Sequence, residues 1–234
     1  MIKYFFSTLL FIIILKSYSQ NIKSEKDLDT SFYLLGMLND YGGRNISFDN
    51  PEKSNYVNHF YCSEKKLSKI FIDSLKYSNK IEKHKFKIDT SGFITIKSDK
   101  YSKDFNKFFK VVKVCKNCES KQDNEDIEYD VSLLKLKTRL INNEIKRISY
   151  IAGVFMRYGK LDNNNAKLSF GNSFKTFKNS IKFLKKLNFD IKRIEVIDAI
   201  PTIQQIDFTI PDKYLIIFSN LNKVKPDTDY DDCN

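Results

Sequence analysis

Two nine-residue stretches decide how this chain folds: Leu34–Gly42, with the sequence LLGMLNDYG, and Ile151–Gly159, with the sequence IAGVFMRYG. Each stretch has a glycine at its third position, then four further residues, then Tyr-Gly, and the two copies are offset by 117 residues. Self-similarity of this kind is typical of an internal duplication. The sequence therefore predicts two related halves, each opened by one copy of the stretch.

The segments that follow the two copies also correspond in pattern. After the first copy, short apolar alternations predict strands at 45–48, 56–61, 85–89 and 93–97. After the second copy, the expected strands lie at 166–170, 191–197 and 204–210. Apolar residues at helical spacing predict helices from Ser63, from Ser98 or Asp99 through Val112, over 174–187, and from Pro211 through Phe218.

These patterns predict an α+β fold. It consists of two pseudo-symmetric α-β-β-α-β-β-α repeats with antiparallel sheets, and the lead helices pack at a pseudo-twofold axis. The boundaries read from the sequence are 20–118 for the first repeat and 129–222 for the second. An acidic linker is expected over 119–128 and an acidic tail over 223–234.

The glycines inside the lead helices, Gly36 and Gly153, indicate how those helices meet. Glycine in a helix interior costs about 1 kcal/mol relative to alanine, so its presence in both copies favours a close approach of another backbone. We expect each glycine to pack against the partner helix. The glycine after each tyrosine is expected to end its helix in the left-handed conformation.

A duplicated helix of this form, followed by strand, strand, helix, strand, strand and helix, resembles the LAGLIDADG homing-endonuclease family. The resemblance implies two sheets that form a saddle over DNA. In that family an acidic residue before the final glycine binds the catalytic divalent metal, and these positions fall here on Tyr41 and Tyr158. A neutral phenol is a poor ligand for Mg²⁺, which prefers carboxylate oxygens. Asp40 neighbours one position, but Arg157 neighbours the other and would repel a metal, so loss of nuclease chemistry is expected.

The N-terminus reads as a signal peptide over residues 1–19. Lys3 precedes an apolar run of about a dozen residues, which is too short to span a bilayer, and cleavage is expected near Ser19/Gln20. The protein is therefore expected to be exported to the periplasm or beyond, with no membrane-spanning segment in the mature chain. An uncleaved N-terminal anchor is the alternative.

Four cysteines remain after that cleavage, and an oxidising compartment favours two disulfides among them. They are Cys62, Cys115, Cys118 and Cys233, and the sequence does not select a pairing. With only two histidines in the chain, His59 and His84, no metal site or catalytic pair is assigned. No cofactor is predicted.

The formal net charge is +11, and it would be +9 without Lys3 and Lys16. A basic surface attracts polyanions or acidic proteins. The leading expectation is an exported, non-catalytic binding protein of immunity or adaptor type, with a protein partner or an acidic polymer outside the cytoplasm.

Two other functions stay open. One is nucleic-acid binding by a LAGLIDADG-like protein without nuclease activity, against which export argues. The other is an exported enzyme with a site at the helix-end cluster of Asp40, Tyr41, Arg157 and Tyr158.

Overall fold

The computed structural model describes residues 27–40, 45–47, 55–78, 87–89, 93–122 and 125–226, without the side chains of 45–47 and 113–133. The predicted signal peptide, Tyr41, His84 and Cys233 lie outside these ranges. Of the four cysteines, only Cys62 has a described side chain, and it is not a free thiol. The two-disulfide expectation stays a prediction.

The described residues of the first half contain three helices. Their bounds are α1 Thr30–Gly36, α2 Lys65–Ser78 and α3 Asp99–Asn106, with a 3-10 turn over Cys62–Glu64 before α2. Its strands are β1 Asn45–Ser47, β2 Tyr56–Phe60, β3 Lys87–Asp89 and β4 Ile94–Lys97. Strands β2, β4 and β3 form one antiparallel sheet in that order.

The second half follows the same plan with a complete four-stranded sheet. Its helices are α4 Glu144–Tyr158, α5 Phe174–Lys186 and α6 Asp212–Val224. Its strands are β7 Gly159–Asp162, β8 Asn165–Gly171, β9 Asp190–Ile197 and β10 Ile203–Thr209, in the order β7-β8-β10-β9. The order β8-β10-β9 repeats the order β2-β4-β3, and all pairings are antiparallel. The α+β class with antiparallel sheets is thus confirmed.

The region between the halves differs from the sequence-based expectation. Residues 119–122 and 125–128 are not a linker: they belong to a long hairpin of β5, Phe109–Gln122, and β6, Glu125–Leu136. Strand β1 pairs with β6 in this third sheet rather than with β2. The predicted helix through Val112 was also wrong beyond Asn106, because Phe109 pairs with Leu136 and starts the hairpin.

The lead helices α1 and α4 cross at their glycines, inside a core rich in aromatic side chains. A Cβ on Gly36 would lie 2.1 Å from the Tyr150 carbonyl oxygen, and one on Gly153 would lie 1.8 Å from the Tyr33 carbonyl oxygen. Only glycine allows this separation, since real Cβ atoms do not approach backbone so closely. The crossing therefore fixes how the C-terminal ends of the two helices meet.

Candidate nucleic-acid interface

The C-terminal ends of the lead helices meet at Arg157, whose guanidinium connects several elements. It donates to the carbonyls of Met37, at 3.0 Å, and His59, at 3.1 Å, and to Glu64 Oε2 at 2.7 Å. The Arg157 and Glu64 side chains are only 1% and 11% exposed. The guanidinium also lies over the Phe60 ring, 4.8 Å from its centroid. Arg157 thus joins α4 to the end of α1, to β2 and to the 3-10 turn.

The charged state of Arg157 is secured by its neighbours. Burial by itself lowers the pKa of this guanidinium, but the net pKa is raised, and the Glu64 carboxylate contributes to this both by its charge and by its hydrogen bond. The same Glu64 oxygen, Oε2, also accepts the Tyr61 backbone N–H at 2.9 Å, which helps to hold the carboxylate in place. A buried ion pair of this kind is costly to break, because the remaining partner is left charged and unpaired.

Tyr158, at a position where the resembling family carries a metal-binding acid, is a packed aromatic residue. Its ring lies 4.8 Å from the Phe170 ring, centroid to centroid. Burial raises the pKa of the Tyr158 phenol, so the side chain is neutral at ordinary pH. The following Gly159 is extended, with φ −93°, and not in the left-handed conformation expected from the sequence, because it starts β7 directly.

Asp40, the acidic member of the predicted helix-end cluster, binds the start of α5. Its Oδ2 accepts the Thr176 backbone N–H at 2.8 Å and the Thr176 hydroxyl at 3.1 Å. Burial raises the pKa of the Asp40 carboxyl despite these hydrogen bonds and the nearby Lys175. The carboxyl therefore serves as an N-terminal cap for a helix of the other half.

These side chains do not fit a divalent metal ion. The Tyr158 phenol is neutral, the Glu64 carboxylate is paired with Arg157, and Asp40 is used by α5. Within the described ranges, no group of three histidine, cysteine or acidic side chains is arranged to hold a metal. Since hard cations require several oxygen ligands, these residues do not provide a magnesium site at the helix ends.

An open cleft of about 370 Å³ lies between the halves at this point. Asn39, Tyr61 and Glu64 line it from the first half, and Tyr158 and Pro201 from the second. Of the predicted cluster, Arg157 and Tyr158 line this cleft, while Asp40 borders a separate, water-sized cavity with Lys175 and Tyr150. The three described members of the cluster, Asp40, Arg157 and Tyr158, therefore do not line one common pocket.

Each of the three sheets carries two lysines directly opposite each other on neighbouring strands. The pairs are Lys87 with Lys97, Lys110 with Lys135, and Lys160 with Lys167. Five of these side chains are exposed and Lys97 is half-buried. Like charges placed directly opposite in a sheet are destabilising. The three pairs place basic residues on each sheet, although the β5–β6 hairpin also pairs Glu119 with Glu128.

The second-half sheet also carries acidic residues on this surface. Asp207 lies next to Lys167 on the neighbouring strand, and Arg193 lies opposite Asp207. Arg193 in turn forms an ion pair of 2.6 Å with Glu195. Lys167 therefore lies between Lys160 and Asp207, and this row of the sheet carries three basic residues and one acidic residue.

Comparison with known proteins finds likeness in fold only. Solved structures of the homing endonuclease I-DmoI are similar to this chain: a variant with its nicked target DNA and manganese has 13% identity and a TM-score of 0.49, over 83% of this chain and 95% of that one. I-DmoI with DNA and calcium has 14% identity and a TM-score of 0.45, over 79% and 85% of the two chains. A set of mesophilic I-DmoI variants has 15% identity and a TM-score of 0.46, over 82% and 93%.

No protein-family model matches the chain, and no curated protein matches it. The resemblance to a LAGLIDADG homing-endonuclease-like fold is confirmed by the structures above. Two of these similar structures are complexes with DNA, whereas the leading sequence-based expectation was a protein or acidic-polymer partner. The main interpretation, a binding protein with a protein or acidic-polymer partner, is corrected accordingly, whereas export is a separate prediction that these structures do not test.

Several residues that matter at this site were not predicted from the sequence. Glu64 was read only as part of a helix start, although it pairs with Arg157 across 93 positions of sequence. The lysine pairs were counted in the net charge but not located, because they depend on strand register. The sequence carried no capping-box signal for Glu64, because the residue three positions before it is Tyr61 and not serine or threonine.

Proposed function

We propose that this chain is a nucleic-acid-binding protein with a LAGLIDADG-like fold and without nuclease activity. The single observation that carries the proposal is the set of lysine pairs, one in each sheet, at Lys87/Lys97, Lys110/Lys135 and Lys160/Lys167. Phosphates placed beside such a pair would remove the like-charge repulsion and release counterions. Phe93, half-exposed directly before the strand that carries Lys97, supports the choice of nucleic acid among polyanions, because bases stack on aromatic rings.

Binding without cleavage follows from the chemistry at the helix ends. Phosphodiester hydrolysis by this fold would need carboxylates that hold a metal beside the scissile phosphate. Tyr158 offers only a neutral phenol there, and the nearby Glu64 carboxylate is already paired with Arg157. The basic sheets can therefore hold a phosphate backbone, while the described residues supply no hydrolytic centre.

The lysine pairs are tested by changing one pair against a control that removes the same charge elsewhere. K160Q/K167Q changes the pair on β7 and β8, whereas K185Q/K186Q changes two exposed lysines at the end of α5, which packs on the sheet. Fluorescence anisotropy with a labelled 20-base-pair duplex measures affinity across salt concentrations. We expect K160Q/K167Q to weaken binding and to reduce the salt slope by roughly 1 to 2.

The control variant is expected to keep the wild-type slope, because its lysines lie on the helix that covers the other side of the sheet. Equal losses of affinity in K160Q/K167Q and K185Q/K186Q would show that only the overall charge matters. That result would contradict the role of the Lys160/Lys167 pair. Absence of binding by the wild-type protein at low salt would contradict the function itself.

Export remains a separate proposal, supported by the sequence of residues 1–19. An exported protein of this kind would meet nucleic acid outside the cytoplasm. N-terminal sequencing of the protein from cell fractions tests it: a chain beginning near Gln20 in an extracytoplasmic fraction is expected, and an intact N-terminus in the cytoplasm would contradict it. Among the described residues, no helix has the length and apolar character needed to cross a membrane.

A further inference from the structure

Four aromatic side chains form a continuous cluster on the first-half sheet. The rings of Tyr56, Tyr61 and Phe93 surround His59, with centroid separations of 5.5 Å, 6.4 Å and 5.6 Å from the imidazole. Tyr61 and Phe93 also contact each other at 5.5 Å. The Tyr56 hydroxyl and His59 Nδ1 are hydrogen-bonded. These four residues are called the aromatic cluster below.

The aromatic cluster faces solvent and not the core. On the same strands Val57, Phe60, Ile94 and Ile96 are buried, so the core side of the sheet is already filled. Phe93 is 50% exposed and Tyr61 is 37% exposed. Aromatic pairs across strands stabilise a sheet. That role explains the ring contacts, but it does not require a phenylalanine with half of its surface in water.

Positive charge lies beside the aromatic cluster on the same surface. Lys97 is directly opposite Tyr56, and Lys87 is directly opposite Lys97, so this lysine pair borders the rings. The one carboxylate described on β3, Asp89, lies opposite Thr95, which is itself opposite His59, so one acidic residue shares the row of the cluster. Exposed rings next to paired ammonium groups match the two parts of a nucleotide, since bases stack on rings and phosphates bind lysine.

The surface also continues into the cleft at the ends of the lead helices. Tyr61 belongs to the aromatic cluster and lines that cleft together with Tyr158. The backbone of His59 is held by Arg157, which joins the cluster strand to the lead helix α4. A chain of nucleotides stacked on the cluster would therefore have a path between the two halves.

We propose that the aromatic cluster is a stacking platform for the unpaired bases of a single-stranded nucleic acid. The ligand is single-stranded because the bases of a duplex are stacked on one another and do not offer their faces to aromatic side chains. The lysine pair Lys87/Lys97 binds the adjacent phosphates. This inference rests on the proposed nucleic-acid-binding function and names the form of nucleic acid that this sheet takes.

The test compares labelled 15-nucleotide oligo(dT) with a labelled 15-base-pair duplex by fluorescence anisotropy at fixed salt. The variants are F93A and Y61A, with F93W as the conservative exchange that keeps a stacking ring. The matched control is F174A, because Phe174 is 43% exposed on α5, outside the cluster. Circular dichroism melting checks that each variant is folded.

Stacking on one aromatic side chain is worth about 1–3 kcal/mol per base, or a change in Kd of roughly 5- to 150-fold. We therefore expect F93A and Y61A to weaken oligo(dT) binding by such a factor while duplex binding changes less than about twofold. F93W and F174A should bind oligo(dT) as the wild type does. The platform is excluded if both alanine variants bind oligo(dT) like the wild type. It is also excluded if they lose affinity for the duplex by the same factor as for oligo(dT).

A second measurement does not depend on the variants folding. Ultraviolet crosslinking of the wild-type protein to 5-bromodeoxyuridine oligonucleotides, followed by peptide mapping, should place crosslinks within 56–61 or 93–97. Crosslinks confined to other peptides would overturn the inference. A wild-type protein that binds the duplex but not oligo(dT) excludes the platform alone, whereas one that binds neither excludes the proposed function as well.

Discussion

The Cα of Gly36 lies 3.2 Å from the position that a Cβ on Gly153 would occupy, so the two lead helices are in backbone contact. This contact brings the end of α1 to the end of α4, and with it Met37 to Arg157. The crossing is reinforced at the start of α1, where Ser149 Oγ accepts the Asp29 backbone N–H at 2.8 Å. The arrangement of the cleft between the halves therefore depends on two residues without side chains.

Replacement of Gly153 by alanine should strongly destabilise the protein. The added methyl group would overlap the Tyr33 carbonyl, which is backbone and cannot move without separating the helices. We expect a loss of at least about 3 kcal/mol in the free energy of unfolding, at the upper end of overpacking effects. The control is Gly171→Ala, whose methyl group would meet only Pro201 at 3.6 Å. Chemical denaturation that finds the two variants within 1 kcal/mol of each other, as a rough limit, would contradict the crossing.

The Arg157–Glu64 pair should show strong coupling in a double-mutant cycle. R157M leaves Glu64 partly buried without its guanidinium, and E64Q leaves Arg157 buried without a carboxylate. Each single variant is expected to lose about 3 kcal/mol or more of stability, and the double variant less than the sum of the two. Urea denaturation of the four proteins measures this. Additive losses would show that the two side chains do not interact as the structure has them.

Asp40 should make stability fall as pH rises. Its folded pKa is raised by burial, so the folded state binds the proton more tightly than the unfolded state. The favourable contribution is fully present below the unfolded pKa, which is about 3.9, and is lost as pH rises through the raised folded pKa. The D40N variant keeps an oxygen that can accept from Thr176 but does not titrate. The stability difference between D40N and wild type should therefore grow from acid toward neutral pH in favour of D40N, and a difference independent of pH would contradict the account.

Incubation with supercoiled plasmid and Mg²⁺ or Mn²⁺ should give no strand cleavage. Tyr158 cannot replace a carboxylate ligand, and Arg157 and Glu64 neutralise each other beside it. A homing endonuclease with intact acidic residues serves as the positive control in the same buffers. Nicking by the purified chain that is abolished by EDTA would show that a metal centre exists which these residues do not provide.

The sequence predicted the second half more closely than the first for identifiable reasons. The apolar spacing of α5 and the Pro211 start of α6 are local signals, and both helices begin where expected, although α6 runs to Val224 instead of ending at Phe218. The end of α3 was missed because Phe109 and Val112 continue its apolar spacing, yet they lie in β5. Strand β5 is selected by pairing with β6 and by β-branched residues such as Val111, which favour strands.

The candidate site was predictable only in part, because it depends on contacts between the halves. Gly36 and Gly153 were marked by their unfavourable position inside helices, which is a local signal. The partners of Asp40 and Arg157, Thr176 and Glu64, lie 136 and 93 residues away along the chain. No periodicity encodes such pairs. The lysine pairs required strand register, which the sequence pattern did not give.

The central claim, that paired lysines on the sheets bind nucleic acid, is tested most directly by the salt dependence of binding. The measurement compares the wild type with a variant in which all six lysines are glutamine, using one labelled duplex and one labelled oligo(dT). We predict a steep linear fall of log affinity with log salt for the wild type, and a slope smaller by up to about 5 for the variant on the duplex. A wild-type protein that binds neither probe at low salt, or a variant with an unchanged slope, would contradict the claim.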